Sequence, residues 1–217
     1  MKILAIPDVH GSHHWKKAKA SIKKYDKIIF LGDYFDCWEN KWPDQMDNFL
    51  NIVNFKKANP DKVELCIGNH DHQYLVDAPC SGHQSVHEID IKHAVIDALD
   101  VLNVVYKHGD WLFSHAGFSR EWMKEQKIAD PLDANEILKN QPHRLNWAGP
   151  DPFGDNPDEG PLWIRPNSLL TYFVNGYNQC VGHTEIKNPV TTQTDDDSQT
   201  IAFIDTPEHS IFFEVET

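Results

Sequence analysis

An α/β domain built on a parallel sheet is what this sequence predicts, and three observations predict it. Short apolar runs at 3–6, 27–31 and 63–67 alternate with stretches of helical spacing. Each run stops at a polar cluster: Pro7-Asp8-Val9-His10-Gly11, Gly32-Asp33-Tyr34-Phe35-Asp36 and Gly68-Asn69-His70-Asp71. The chain has 217 residues and shows no repeat, low-complexity tract or linker. It is therefore read as one domain over 1–217 with one sizeable core.

The elements follow in order. The first strand covers 3–6. A helix over 14–24, capped by Ser12, places Trp15, Ala18 and Ile22 on one face. The second strand covers 27–31. A helix over 45–56 carries Met46, Phe49, Leu50, Val53 and Phe55, and Asn59-Pro60-Asp61 ends it. The third strand, 63–67, runs into Gly68-Asn69-His70-Asp71. That stretch reads as a loop delivering ligands and a proton donor to a strand end, because buried polar groups need partners. Right-handed crossovers make these three strands parallel, and ligands collect at the carboxyl ends of such strands.

Beyond residue 82 the spacing predicts a helix over 84–99. Strands at 101–106 and 111–114 follow, joined by the His108-Gly109-Asp110 turn. Helices are expected at 120–127 and 133–139. Residues 140–167 are rich in Pro and Gly and too long for a plain connector, which suggests an active-site lid. Residues 169–175 are ambiguous. A strand at 179–181 ends in Gly182-His183-Thr184, Asp195-Asp196-Asp197 reads as a solvated turn, and 201–204 and 211–215 are expected to pair antiparallel.

Composition removes several function classes. The formal net charge is −13, which argues against extended nucleic-acid binding. No apolar run approaches the roughly 20 residues of a membrane helix, and the acidic start is unlike a signal peptide. Cys37, Cys66, Cys80 and Cys180 show no Cys-x-x-Cys spacing and read as reduced thiols. A cytoplasmic protein is the expectation.

Five strand ends carry ligand-type residues: Asp8 and His10, Asp33, Asn69 and His70, His115, His183. The set holds carboxylates, an amide and imidazoles, with no thiolate. It suits Mn²⁺, Fe or Zn²⁺ better than a structural zinc. Six ligands are too many for one catalytic ion with open positions. They suit two divalent ions sharing a carboxylate.

These motifs, with His115-Ala116-Gly117 and Gly182-His183, resemble the calcineurin-like metallophosphoesterase superfamily along nearly the whole chain. The resemblance implies a two-sheet β sandwich flanked by helices, in four layers α-β-β-α, and a phosphoric ester hydrolase with two divalent ions. Mn²⁺ is the first choice and Fe, Zn²⁺ or Ni²⁺ the others. It implies Asp8 and His10 on the first ion, Asp33 bridging, and Asn69, His115 and His183 on the second. His70 would be the catalytic imidazole beside the leaving group. Gly32-Asp33-Tyr34-Phe35-Asp36 is similar to Gly-Asp-Tyr-Val-Asp of the protein serine/threonine phosphatase branch, including its small phage and bacterial members. There the last Asp bonds the catalytic His, which assigns Asp36. Leu162-Trp163-Ile164-Arg165 resembles the Leu-Trp-x-Arg that supplies a phosphate-binding Arg, which assigns Arg165.

Four positions depart from that branch or its relatives. Cys37 stands where an Arg grips phosphate, Asp71 where Glu is usual, Ala116 where the motif has Gly, and Glu185 where diesterase relatives carry a second His. The implied reaction is attack of a metal-bridging hydroxide on a phosphomonoester, of a phosphopeptide or a small molecule, with His70 protonating the leaving oxygen. A phosphodiesterase or dinucleoside polyphosphate hydrolase is the alternative on the same site, and a metal-free scaffold the non-enzymatic one. His72 is a candidate substrate contact, and His13 and His14 are rim residues. Trp38, Trp42, Trp147 and Trp163 are candidate pocket walls. Arg120 is read as a solvated helix residue, Arg144 as loop structure or substrate contact, and Glu185 as either near the metals or on the surface.

Overall fold

Buried side chains on both faces explain why the strands of the first sheet are apolar runs rather than alternating ones. In the computed structural model, which describes residues 1–37, 41–147, 155–194, 196–206 and 213–216, β1 (Lys2–Ile6), β2 (Lys27–Phe30), β3 (Val63–Cys66) and β4 (Leu102–Asn103) lie parallel in that order. In β1, Leu4 and Ile6 join the core shared with the helices, while Ile3 and Ala5 join the core between the sheets. That is the period of two expected of a strand.

The connections follow the apolar pattern. The predicted helix 14–24 is broken into α1 (Lys16–Ala20) and a 3₁₀ turn (Ile22–Lys24), and Trp15 and Ala18 are buried. Ser12 Oγ accepts from the His14 backbone N–H at 3.2 Å, so it closes a turn rather than capping the helix. α2 runs longer than predicted, Trp42–Ala58, with Phe49, Ile52, Val53 and Phe55 buried and Leu50 exposed. After β3 the chain enters α3 (Asn69–Val76) at once, so the predicted ligand loop is a helix N-terminus. α4 (Glu88–Asp97) is shorter than the predicted helix.

The largest departure lies at 101–106, where one predicted strand belongs to two sheets. β4 ends the first sheet at Asn103, and β5 (Val105–His108) opens the second. Val104 is the crossing. Asn135 Oδ1 accepts the Val104 and Val105 backbone N–H at 2.7 and 3.1 Å, and its Nδ2 donates to the Val105 carbonyl at 3.1 Å. One side-chain amide thus supplies the partners the backbone lacks as it leaves the ladder.

β6 (Trp111–Ser114) forms a hairpin with β5. α5 (Arg120–Gln126), α6 (Ala134–Asn140) and α7 (Pro166–Tyr172) precede β7 (Asn178–Val181), β8 (Val190–Gln193) and β9 (Thr200–Phe203). The second sheet has the order β5-β6-β7-β9-β8. The expected pairing of the last two strands is not formed. β9 lies between β7 and β8, and β10 (Phe213–Glu216) returns to the first sheet, antiparallel to β1. β8 was not predicted at all; its exposed Val-Thr-Thr-Gln carries no apolar run.

Ile3, Ala5, Ile29, Leu31 and Cys66 of one sheet meet Phe113, Cys180 and Ala202 of the other. Leu169 and Phe173 of the α7 region cover Val181, Ile201 and Phe203 on the outer face of the second sheet. The architecture is therefore a mixed α/β sandwich of two five-stranded sheets flanked by helices. Trp38 and Asp195 lie outside the described residues.

Candidate active site

The carboxyl ends of β1, β2, β3, β6 and β7 deliver Asp8, His10, Asp33, Asn69, His115 and His183 to one place. Several arrive on left-handed backbone: His10 (φ 39°), Asp33 (φ 51°), Asp36 (φ 65°) and His183 (φ 64°). Asp and His tolerate that region better than most residues, and such strain of about 1–3 kcal/mol each persists where the surroundings hold it. The Asp33 carbonyl accepts the Val9 and His10 backbone N–H at 3.1 and 2.6 Å, and the His115 carbonyl accepts that of Gly182 at 2.8 Å.

The glycines of two motifs exist for each other. Gly32 has φ +110°, and a Cβ there would sit 2.3 Å from the Gly68 backbone nitrogen. A Cβ on Gly68 would sit 2.0 Å from Asp33 Oδ1. Backbone therefore packs on backbone beneath the Asp33 carboxylate. Gly68→Ala is expected to destabilise the protein by about 2–3 kcal/mol and to displace Asp33. A urea midpoint within error of the parent would refute this.

Hydrogen bonds fix which atoms face inward. His115 Nδ1 donates to the Leu31 carbonyl at 3.0 Å, His183 Nε2 to that of Trp163 at 3.2 Å, and His10 Nδ1 to that of Phe35 at 2.8 Å. The other ring nitrogens then carry lone pairs toward the centre. His115 Nε2 lies 2.7 Å from Asn69 Oδ1, 3.1 Å from His183 Nδ1 and 3.5 Å from Asp33 Oδ2. His10 Nε2 lies 3.6 Å from the same Asp33 oxygen. Asp8 Oδ1 accepts the His183 backbone N–H at 3.0 Å.

Among the described residues, two groups of ligand atoms cluster within 4.8 Å, His10–Asp33–His70 and Asp8–Asp33–His115, and Asp33 belongs to both. Burial pushes the Asp33 carboxyl well above the usual range, and the Asp8 and Asp71 carboxylates add to it. Burial holds the His115 imidazole below its ordinary value, and that of His183 well below, His115 and Arg165 adding to the latter. Converging lone pairs and carboxylates without enough positive charge are the donor chemistry a divalent cation satisfies, so these residues fit metal ions.

His70 stands at the edge of this group with its side chain 16% exposed. Its backbone N–H donates to Asp33 Oδ1 at 2.9 Å, and its Nδ1 lies 2.9 Å from Asp36 Oδ2. Burial opposes its charge, but Asp33 and the bond to Asp36 outweigh this and raise its pKa well above normal. Asp36 also accepts from Gln73 Nε2, from Tyr74 Oη at 2.5 Å and from Gln84 Nε2 at 3.1 Å. Asp71 accepts the Tyr34 and Gly68 backbone N–H at 2.7 and 3.0 Å, tying the β2 and β3 ends together. Burial pushes its carboxyl up to about 7 against those bonds. The residue holds the loops.

Arg165 reaches Thr184 Oγ1 through Nη1 at 3.2 Å. Burial lowers its pKa, while Glu159, Asp155, Asp8 and Asp33 pull it back up. The described end of the predicted lid is tied down. Pro161 O accepts the Ala116 N–H at 2.7 Å, and Leu162, Trp163 and Ile164 are buried. Residues 148–154 of that stretch lie outside the described residues. Glu159 is fully buried near Arg165, and neither it nor the Gln73–Tyr74–Gln84 support was anticipated. A buried glutamate followed by Gly-Pro carries no periodic signal.

Other candidates fall elsewhere. His72 is fully buried, so it is no substrate contact; its Nε2 donates to the Pro142 carbonyl at 2.7 Å. Arg144 spends its guanidinium on Gln126 and Gln141, and Arg120 bonds the Thr171 carbonyl beside Tyr172. Glu185 and His14 are exposed, and His13 pairs with Asp44. Trp163 is buried with its ring 6.1 Å from His183 and 5.3 Å from Trp147, while Trp42 stacks on His87 at 4.4 Å.

Burial lowers the His72 pKa from 6.5 to about 4. Between those values the unfolded chain binds the proton that the folded one refuses. The stability tied to neutral His72 is therefore complete above pH 6.5 and drains as pH falls toward 4, by about 3 kcal/mol. His72→Phe is expected to flatten that part of the pH dependence of the urea midpoint. An unchanged slope from pH 7 to 4.5 would refute it.

A sandwich of this layering gathers carboxylates and imidazoles at its strand ends, the donor chemistry of a metal site. Over residues 1–185 the sequence matches the calcineurin-like phosphoesterases, and the chain belongs to that family, a family of phosphoric ester hydrolases that use divalent metal ions. No match is found among curated proteins. Among solved structures, the chain is similar to the cold-active protein-tyrosine phosphatase of a psychrophilic Shewanella, with 17% identity and a TM-score of 0.66, covering 100% of this chain and 75% of that one. It is also similar to a Saccharomyces cerevisiae protein serine/threonine phosphatase, with 15% identity and a TM-score of 0.52, covering 94% and 67%. Both likenesses are of fold. Among the described residues no helix is long and apolar enough to cross a membrane.

Proposed function

We propose that this protein hydrolyses phosphomonoesters with two divalent ions, held by Asp8 and His10 on one side, Asn69, His115 and His183 on the other, and Asp33 between. The observation that carries the reading is that Asp33 shares one group of converging ligand atoms with His10 and His70 and another with Asp8 and His115; the division of the six residues between two ions follows the family's pattern. Mn²⁺ is the preferred ion, because the set mixes hard oxygen donors with imidazole and has no thiolate. Two such ions, when bound, supply a nucleophilic hydroxide at neutral pH and neutralise phosphoryl charge.

The chain's own groups do the rest. His70, held by Asp36 through Nδ1 at 2.9 Å, presents its other ring nitrogen as the proton donor to the leaving oxygen. Asp36 keeps the ring oriented because three further donors fix its carboxylate. Arg165 stands beside Thr184 with a planar fork suited to non-bridging phosphoryl oxygens. The exposed Glu185 offers no imidazole for a diester-type site, which favours monoesters.

The test is a comparison of phenyl phosphate with bis-phenyl phosphate, alongside dinucleoside polyphosphates and phosphoseryl, phosphothreonyl and phosphotyrosyl peptides. Each is assayed with Mn²⁺, Ni²⁺ and Zn²⁺. Phenyl phosphate should win at least tenfold. Preference for the diester, or absence of turnover with every ion, would overturn the reading.

A further inference from the structure

Among the described residues each oxygen of Asp36 takes two donors. Oδ2 takes His70 Nδ1 and Gln73 Nε2, and Oδ1 takes Tyr74 Oη at 2.5 Å and Gln84 Nε2 at 3.1 Å. His70, Gln73 and Tyr74 all lie on α3. Gln84 does not: it belongs to the segment between α3 and α4 and stands 48 residues from Asp36 in the chain. Yet it governs both bonds to Oδ1. Its side chain makes one of them. Its backbone N–H donates to Tyr74 Oη at 2.9 Å, so the hydroxyl accepts that bond and directs its one proton at Asp36. The Gln84 amide is itself fixed. Its Nε2 also donates to Gln45 Oε1 at 3.0 Å, and that oxygen accepts the Cys37 backbone N–H at 3.2 Å. His83, the preceding residue, stacks on the Tyr74 ring at 4.8 Å.

From this arrangement we infer that Gln84 is a positioning residue for the proton donor, and that it sets how basic a leaving alcohol the protein can expel. The inference rests on the phosphomonoesterase reading above. The carboxylate torsion of an aspartate is broad and roughly two-fold. A carboxylate held only at Oδ2 can turn about that bond and carry the His70 ring with it. Pinning Oδ1 stops the rotation, so His70 Nδ1 stays on Asp36 and Nε2 keeps one direction toward the leaving oxygen. Proton transfer depends on that geometry, and it matters most where the leaving alcohol is basic. An alkyl ester therefore needs Gln84, while an aryl ester of an acidic phenol does not. The Gln84 side chain bonds Asp36 and Gln45 and none of the proposed metal ligands, so its loss leaves the ions in place.

The experiment uses Gln84→Met, which keeps the length of the side chain and removes its donor, in the Mn²⁺-loaded full chain. The kcat for 2-phenylethyl phosphate should fall by about tenfold and that for 4-nitrophenyl phosphate by less than about twofold, with Mn²⁺ content unchanged. Tyr74→Phe removes the other Oδ1 donor and should show the same selectivity, which keeps the test open if one variant folds poorly. In a His70→Ala background Gln84→Met should cost nothing further on either ester, because its effect passes through that ring. The His70 imidazole signals in ¹⁵N NMR should shift in Gln84→Met, a readout that needs no turnover. Equal loss on the two esters would overturn the inference, as would the same loss in the His70→Ala background, or His70 signals identical to the parent's. A parent protein without any phosphatase activity would instead overturn the functional reading, and the His70 signals would still decide this one.

Discussion

Asp33→Asn should abolish turnover and, in the same protein, stabilise the metal-free fold. The carboxylate is buried beside Asp8 and Asp71, and burial with those like charges makes its ionised form costly without cations. An Asn amide keeps an oxygen for the His70 backbone N–H. It can also turn a donor toward the lone pairs of His115 and His10, now 3.5 and 3.6 Å from Asp33 Oδ2. Asn accepts the left-handed φ of 51° at least as readily as Asp. The metal-free variant should therefore gain about 0.5–2 kcal/mol, as relieved functional sites do. The rate should drop by about a thousand-fold or more, about 4 kcal/mol of transition-state stabilisation. Thermal unfolding with a chelator and with Mn²⁺, next to calorimetric Mn²⁺ binding, separates the two effects. Unchanged kcat, or a Tm that Mn²⁺ raises as much as in the parent, would contradict the assignment.

His70→Ala should lower the rate by about 10²–10⁴-fold while sparing the metals: His70 lies near His10 and Asp33, but its Nδ1 is spent on Asp36 and the proposed ligands are Asp8, His10, Asp33, Asn69, His115 and His183. The variant should also fold. Asp36 keeps the donors of Gln73, Tyr74 and Gln84, so no buried carboxylate is stranded. The loss should grow as the leaving alcohol becomes more basic, because a poor leaving group needs the proton most. A series of aryl and alkyl phosphates, with metal content measured in each preparation, reads this directly. A uniform loss across the series would assign His70 a binding role instead.

The first three strands of the first sheet, and the polar clusters that the fold brings together at their ends, were legible because each is a local pattern. An apolar run, a glycine and a cluster of Asp, Asn or His stand within a few residues of one another at 8–10, 32–36 and 68–71. What was not legible depends on distant partners. Nothing near residue 104 says that the chain changes sheets there; Asn135 makes that possible from 31 residues away. The pairing of β10 with β1 joins opposite ends of the chain, whereas a local reading pairs neighbours in sequence. The start of α3 hid because its capping signal was halved. Asp71 accepts the Gly68 N–H, but Gly68 has no side chain to return the bond, so the stretch looked like a loop. His72 looked like its neighbours and is instead a neutral buried imidazole, since helical spacing turns it away from the face that carries His70.

The return of β10 to the edge of β1 has a consequence for the order in which the protein can be made. β1 leaves the ribosome about 200 residues before β10, and its outer edge has no partner until residues 213–216 emerge. At about 5–20 residues per second, that gap of some 200 residues lasts roughly 10–40 s. For that interval an apolar strand presents an open row of backbone donors and acceptors, the kind of edge that recruits other chains. Asp8 and Asp33 wait through most of it for His115 and His183. Shortening the gap by circular permutation, so that the β10 segment is translated just before β1, should raise the fraction of chains recovered soluble when synthesis is fast.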